Sequence, residues 1–258
     1  MSARLGRLVD HLVAEGRAVL AQPRQPASFA YDPASDALLN DIEHHPQAFV
    51  LGCLANRMGK ARQAWKVPLR LRERFGMLDV GVLAKKSEAE WARVVRDPAP
   101  IHRRPDLMAK VLRLGVQRLQ GSYDGDAARI WEGTPASATV VRRFLEFHGA
   151  GPKLASMAAN ILVRQFKLPL SDYHFIDISV DVQVRRVMTR LGFVPDDASD
   201  LLLIYAARDA HPEFPGIFDL ALWRIGQDVC TRRLPRCGTC PLAKFCAYAA
   251  ARRAATTG

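Results

Sequence analysis

No apolar run in this sequence is long enough to cross a bilayer, so no membrane partner is expected. The start, MSARLGRLVDHLVAEGRAVL, lacks the form of a signal peptide. Leu5, Leu8, Val9 and Leu12 recur at helical spacing, broken by Arg7, Asp10 and His11. Cysteine is scarce: 5 in 258 residues, four of them in one short window. That usage argues against a secreted disulfide scaffold and fits a reducing cytoplasm. Strand-like alternation is nearly missing, with only FIDISV (175–180) a candidate, and there is no internal repeat or low-complexity tract. Acidic residues are missing altogether from Val229 to the end. Over the whole chain 37 Lys and Arg outnumber 26 Asp and Glu, a formal net charge of +11. A balance this basic points to a polyanionic partner, with nucleic acid the first candidate.

What is present reads as helix, in a chain long enough for two compact lobes. Residues 1–20 form an amphipathic helix. Residues 21–40, with Pro23, Pro26 and Pro33, read as a long connection. Pro46 to Met58 is a mostly apolar helix in which Phe49, Val50, Leu51 and Leu54 face a core and Cys53 is a small buried hydrophobe. Residues 57–75 are dense in base (Arg57, Lys60, Arg62, Lys66, Arg70, Arg72, Arg74) around Trp65, as a solvated face or a phosphate-contacting one. Residues 96–107 form a loop, and Pro105 opens a helix that buries Leu107, Val111 and Leu114.

The segment 136–166 is more specific. A helical pattern ends at His148, Gly149-Ala150-Gly151 follows, and a second helix begins at Pro152, where a missing N–H costs nothing. Two glycines around one small residue permit a tight turn and clear side chains from it, so backbone N–H groups can meet a phosphate. The plainer reading is a helix–helix corner with a glycine C-cap. Lys153 lies in the first turn of the second helix, where the helix dipole disfavours a cation and favours the neutral, nucleophilic amine. A solvated lysine is the plain alternative. Further on, Asp172, Asp177 and Asp181 punctuate the chain, and Asp181 precedes a helical pattern that ends at Gly192. It is at least a good N-cap.

Cys230, Cys237, Cys240 and Cys246 lie among Pro235, Gly238 and Pro241, so they wrap a centre and do not line a helix. Spacing alone leaves structural zinc and an iron–sulfur cluster both open.

Together these pieces resemble the helix-hairpin-helix DNA glycosylases, in particular the endonuclease III branch. HGAGPKLA (148–155) resembles the family's hairpin and catalytic lysine, placing Lys153 on that lysine. SVDVQVRRV (179–187) resembles the segment with its catalytic aspartate, placing Asp181 there, with Asp177 a competing register. The four-cysteine spacing is that of the branch's [4Fe-4S] loop. The resemblance covers residues 41 to 248. Ala150 is smaller than the usual hairpin residue, the interval from Lys153 to Asp181 is longer, Val182 and Gln183 stand where threonine and histidine are usual, and Asn56 and Arg57 stand near a usual glutamine.

The resemblance implies an all-α fold of two helical lobes with a DNA-binding cleft. Residues 41–165 would form a helical barrel; residues 1–40 with 166–258 would carry the [4Fe-4S] cluster on the four cysteines. It implies a monomeric, cytoplasmic, nucleoid-associated enzyme acting on double-stranded DNA that contains a damaged base or abasic site. Gly149 and Gly151 would anchor the backbone, Arg57 would lie at the DNA surface, and Ile101 or His102 would be the wedge. Arg232 and Arg233 would meet phosphates. Lys153 would attack the sugar and Asp181 would stabilise its charge, giving base excision and β-elimination, with an oxidised pyrimidine the default substrate. A monofunctional mismatch glycosylase and a non-catalytic DNA-structure-binding protein are the alternatives; Lys153 counts against the first, whose members lack it.

Overall fold

The structure, a computed structural model, describes residues 2–257. Among these there are helices and no strands. In chain order the helices are α1 (Ala3–Ala21), α2 (Pro33–Asn40), α3 (Pro46–Ala55), α4 (Ala61–Ala64), α5 (Val67–Phe75), α6 (Val80–Ala84) and α7 (Glu88–Arg96). Then come α8 (Pro105–Tyr123), α9 (Ser137–Leu145), α10 (Pro152–Arg164), α11 (Val182–Leu191), α12 (Asp200–Ala210), α13 (Asp219–Asp228) and α14 (Ala247–Thr257). The starts follow local chemistry. Proline occupies the first turn of α2, α3, α8 and α10. Ser87 and Glu90 form a reciprocal capping box on α7.

The chain divides into two compact units: residues 24–170, and residues 1–23 with 171–258. The boundaries differ from those expected, because residues 24–40 belong with the middle unit. Phe29 packs 5.0 Å from Trp65 and 6.0 Å from Phe166 (ring centroids). Asn40 exchanges hydrogen bonds with the backbone of Ala27. α2 itself lies in what reads as a connection; eight residues are too few to show a helical period above a proline-rich background.

The middle unit is built around α3, buried on every side from Ala48 to Ala55. Phe49 stands at its centre, with ring centroids 6.2 Å from Trp65, 6.0 Å from Trp131 and 5.2 Å from Phe166. Truncating such a residue to Ala costs about 3–5 kcal/mol. α8 buries Met108, Val111, Leu112, Val116 and Leu119. Leu107 and Leu114 are only half-buried, so its core face is turned slightly from the expected one.

In the terminal unit α11 packs on α13. A Cβ on Gly226 would lie 2.6 Å from Cβ of Gln183, so glycine permits that approach. The FIDISV segment forms no strand: Phe175 lies in a turn and residues 176–180 have no regular structure. The Asp219 carboxylate accepts the Ser179 N–H at 2.6 Å, and the Gly216 N–H donates to the Ile176 carbonyl at 2.7 Å. These bonds stand where a ladder would be.

Candidate active site

The hairpin joins α9 to α10. Gly149 has φ +75°, a left-handed conformation that favours glycine. Gly151 is extended (φ −131°, ψ 178°) and N-caps α10, so its value is open space: nothing lies within 4 Å of where a Cβ would be. The carbonyl of Gly151 accepts from Leu154 and Ala155, each at 3.0 Å. Among the described residues the N–H groups of Gly149 and Gly151 have no acceptor in the chain. They are the groups a phosphate would meet.

Lys153 follows in the first turn of α10, half-buried. The wholly buried Cys53 of α3 lies within its field. Burial pushes the Cys53 thiol well above its usual range, and the positive charge of Lys153 acts the other way. Cys53 is thus a neutral core thiol.

Arg57, expected at the DNA surface, is half-buried, and its guanidinium donates to the exposed Gly149 carbonyl. Its Nε is buried without a partner, and burial pulls its basicity down from the usual value. Asn56 is 9 % exposed and directs its amide to the Met157 sulfur at 3.3 Å. Ile101 and His102, the wedge candidates, are buried, 2 % and 8 % exposed. The apolar side chain that does project here is Met58, 61 % exposed and with φ +50°. It stands at an open groove of about 940 Å³ whose walls include Lys60, Arg70, Arg103 and Arg104. Sequence flagged the basic density of this region but could not tell an arginine bonded within the chain, such as Arg57, from one left to solvent.

Asp181 caps α11. Its Oδ1 accepts from the Gln183 N–H at 2.8 Å and the Val184 N–H at 2.9 Å. Oδ2 takes no hydrogen bond among the described residues, so half of the carboxylate is available. Asp177 is half-buried in a bidentate pair with Arg208 of α12.

The four loop cysteines are partly buried and free of disulfides. Burial first, and the neighbouring cysteines after it, raise the thiols of Cys240 and Cys246. Among the described residues no group of three or more His, Cys, Asp or Glu is placed to hold a metal ion. N–H donors do reach the sulfurs: Arg190 Nη1 lies 3.2 Å from Cys230 Sγ, and the Ala249 N–H 3.5 Å from Cys246 Sγ. Arg190 also donates to the carbonyls of Thr231 at 2.8 Å and Arg232 at 3.1 Å, and Arg186 to Cys230 at 2.6 Å and Gly226 at 2.7 Å. Arg4 of α1 donates to the Leu191 carbonyl at 2.9 Å and to that of Phe245. Sequence reasoning missed these three arginines as clamps, although the four-residue spacing of Arg186 and Arg190 puts both on one face of α11. Arg232 and Arg233 are exposed.

Comparison with solved structures fits this description. A trapped endonuclease III–DNA covalent intermediate matches 98 % of this chain and 100 % of its own at TM-score 0.60 and 19 % identity. A non-covalent endonuclease III–DNA complex matches the same shares at 0.63 and 20 %. The chain has the fold of endonuclease III. A thermostable thymine-DNA glycosylase shares that fold too, at TM-score 0.63 and 15 % identity over 94 % of this chain and 97 % of its own. Two curated relatives are adenine DNA glycosylases. The one from Mycobacterium tuberculosis is 41 % identical over 78 residues, 27 % of this chain and 24 % of its own. The one from Mycolicibacterium smegmatis is 42 % identical over 67 residues, 24 % of this chain and 22 % of its own. The chain thus matches about a quarter of the length of these relatives. No family model matches the chain.

Proposed function

We propose that this protein is a DNA-repair glycosylase with abasic-site lyase activity. The observation that carries the reading is Lys153, half-buried in the first turn of a helix that follows a glycine hairpin, in a chain with the endonuclease III fold. A base stacked in a duplex cannot be reached, so the nucleotide is extruded, at a cost of a few kcal/mol that phosphate contacts offset. The free N–H groups of Gly149 and Gly151 and the exposed Arg232 and Arg233 supply such contacts.

The neutral amine of Lys153 attacks C1′ of the sugar. The bond from C1′ to the base breaks, the base leaves with the electron pair and takes up a proton, and Asp181 stabilises positive charge on the sugar. Loss of a proton from the lysine nitrogen and opening of the ring give a Schiff base. Abstraction of a C2′ proton then expels the 3′ phosphate by β-elimination. The default substrate is an oxidised pyrimidine in double-stranded DNA, and the working form is a monomer in the cytoplasm, associated with the nucleoid.

Cys230, Cys237, Cys240 and Cys246 would hold a [4Fe-4S] cluster. Four free thiols on one loop, with N–H donors at the sulfurs, fit such a group. Its role is structural: it holds the basic loop in shape.

Borohydride trapping on duplexes with an abasic site or an oxidised base tests the chemistry. Wild type should form a covalent adduct and Lys153→Ala none. An undiminished adduct from the variant would refute the lysine's role. The local identity to adenine DNA glycosylases favours a second reading, excision of a mismatched adenine by water without strand cleavage. Release of adenine from a mismatched duplex with no trapped adduct would select it. Binding without release of any base would select a non-catalytic DNA-structure-binding protein.

A further inference from the structure

Arg57 lies among the bases of residues 57–75, and its charge suggests a DNA contact. Its geometry says otherwise. The guanidinium donates to the Gly149 carbonyl, and a Cβ on Gly149 would stand 2.5 Å from Arg57 Nη1. The backbone of Arg57 is held in turn. Its carbonyl lies 3.0 Å from His102 Nε2, and His102 Nδ1 accepts the Arg104 N–H at 3.1 Å. These two backbone partners put the ring proton on Nε2. His102 is 8 % exposed, and the Nε of Arg57 is buried without a partner. A buried donor left unmet is a cost that a solvent-facing arginine would avoid.

We propose that Arg57 and His102 form a clamp that positions the hairpin, and through it Lys153. The clamp joins three loops of one unit: the turn after α3, the loop before α8 and the hairpin. Holding the Gly149 carbonyl fixes the plane of that peptide. The left-handed turn at Gly149 and the N-cap of α10 follow within two residues, so the same bond sets how α10 leaves the turn. A glycine-containing turn needs such a restraint, since glycine alone resists little rotation. Arg57 is on this account a positioning residue and not a phosphate ligand.

The kinetic test rests on the glycosylase reading; a second readout does not. With saturating abasic duplex, Arg57→Ala should slow single-turnover borohydride trapping about tenfold. Arg57→Lys, which keeps one donor, should recover part of it, and millimolar methylguanidinium should raise the rate of the alanine variant. The dissociation constant should stay within twofold and the salt slope should not change. A salt slope lower by about 0.9 with an unchanged saturating rate would make Arg57 a phosphate contact and overturn the clamp. An unchanged rate with no loss of affinity would also overturn it. Should Arg57→Ala fail to fold, His102→Leu removes the second tier of the clamp and should slow trapping in the same way, with affinity kept. If wild type forms no adduct, the chemical reading fails and amide exchange still decides. The Ala150 N–H, bonded to the Phe147 carbonyl at 2.9 Å, should exchange faster in either variant. Unchanged exchange in both refutes the clamp independently of any activity.

Discussion

Arg208 grips both oxygens of Asp177: Nε lies 2.7 Å from Oδ1 and Nη2 2.9 Å from Oδ2. The pair raises the basicity of Arg208 above its usual value, with the hydrogen bond the largest cause. Four residues on, Asp181 spends only Oδ1, on two backbone N–H groups. Two carboxylates that look interchangeable in the sequence are thus differently committed.

That difference gives a prediction. Asp181→Asn keeps an N-cap, since asparagine caps about as well as aspartate, so its melting temperature should stay close to wild type. Its base-release rate should fall about 10²- to 10⁴-fold, the range for losing a positioned acid–base group. Asp177→Asn should do the reverse, losing melting temperature and keeping most of its activity. Measured together, the opposite pattern would move the catalytic assignment to Asp177.

The register had stayed open in the sequence because a carboxylate's partner can lie far along the chain. Arg208 is 31 residues from Asp177. Local features were legible: Pro105 and Pro152 open helices where the missing N–H allows it, and Asp181 is an N-cap. Non-local features were not. The placement of Arg57 depends on Gly149, 92 residues away, and the clamp on the cysteine loop depends on arginines about 40 residues before it. The alternation of FIDISV was real, but a side-chain carboxylate and one backbone N–H took the place of neighbouring strands.

For the cysteine loop, purified protein should be yellow-brown and hold about four iron and four sulfide per chain. Cys237→Ser should lower the iron content and loosen the loop. Colourless protein with stoichiometric zinc would refute the cluster. Arg190→Gln should bleach faster than wild type in air, because a donor to Cys230 Sγ and two carbonyl bonds are lost with it.

Arg232 and Arg233 should each account for about one released counterion. Changing either to Gln should reduce the slope of log affinity against log salt by about 0.9, whatever the duplex sequence. A fluorescence-anisotropy titration at several salt concentrations reads this directly. An unchanged slope would place both side chains outside the DNA contact.

The capping box of α7 carries a pH signature. Hydrogen bonds from the Ser87 backbone first, then from Lys86 and the Ser87 hydroxyl, lower the Glu90 carboxyl from its ordinary 4.5 to about 2. A depressed carboxylate stabilises the fold above its unfolded value and loses that contribution as pH falls towards the folded one. The advantage of wild type over Glu90→Gln should thus be full near neutrality and vanish between about pH 4.5 and pH 2. Thermal melts of the two proteins across that window check it; a constant difference would show that the charge is irrelevant.

α11 has ten residues, so it is a rod of about 15 Å. Asp181 stands at its first end, and Arg190 in its last turn holds the cysteine loop by a sulfur and two carbonyls. A short rigid helix has little capacity to absorb a displacement. A shift of the cysteine loop at one end would therefore be felt at the carboxylate on the other.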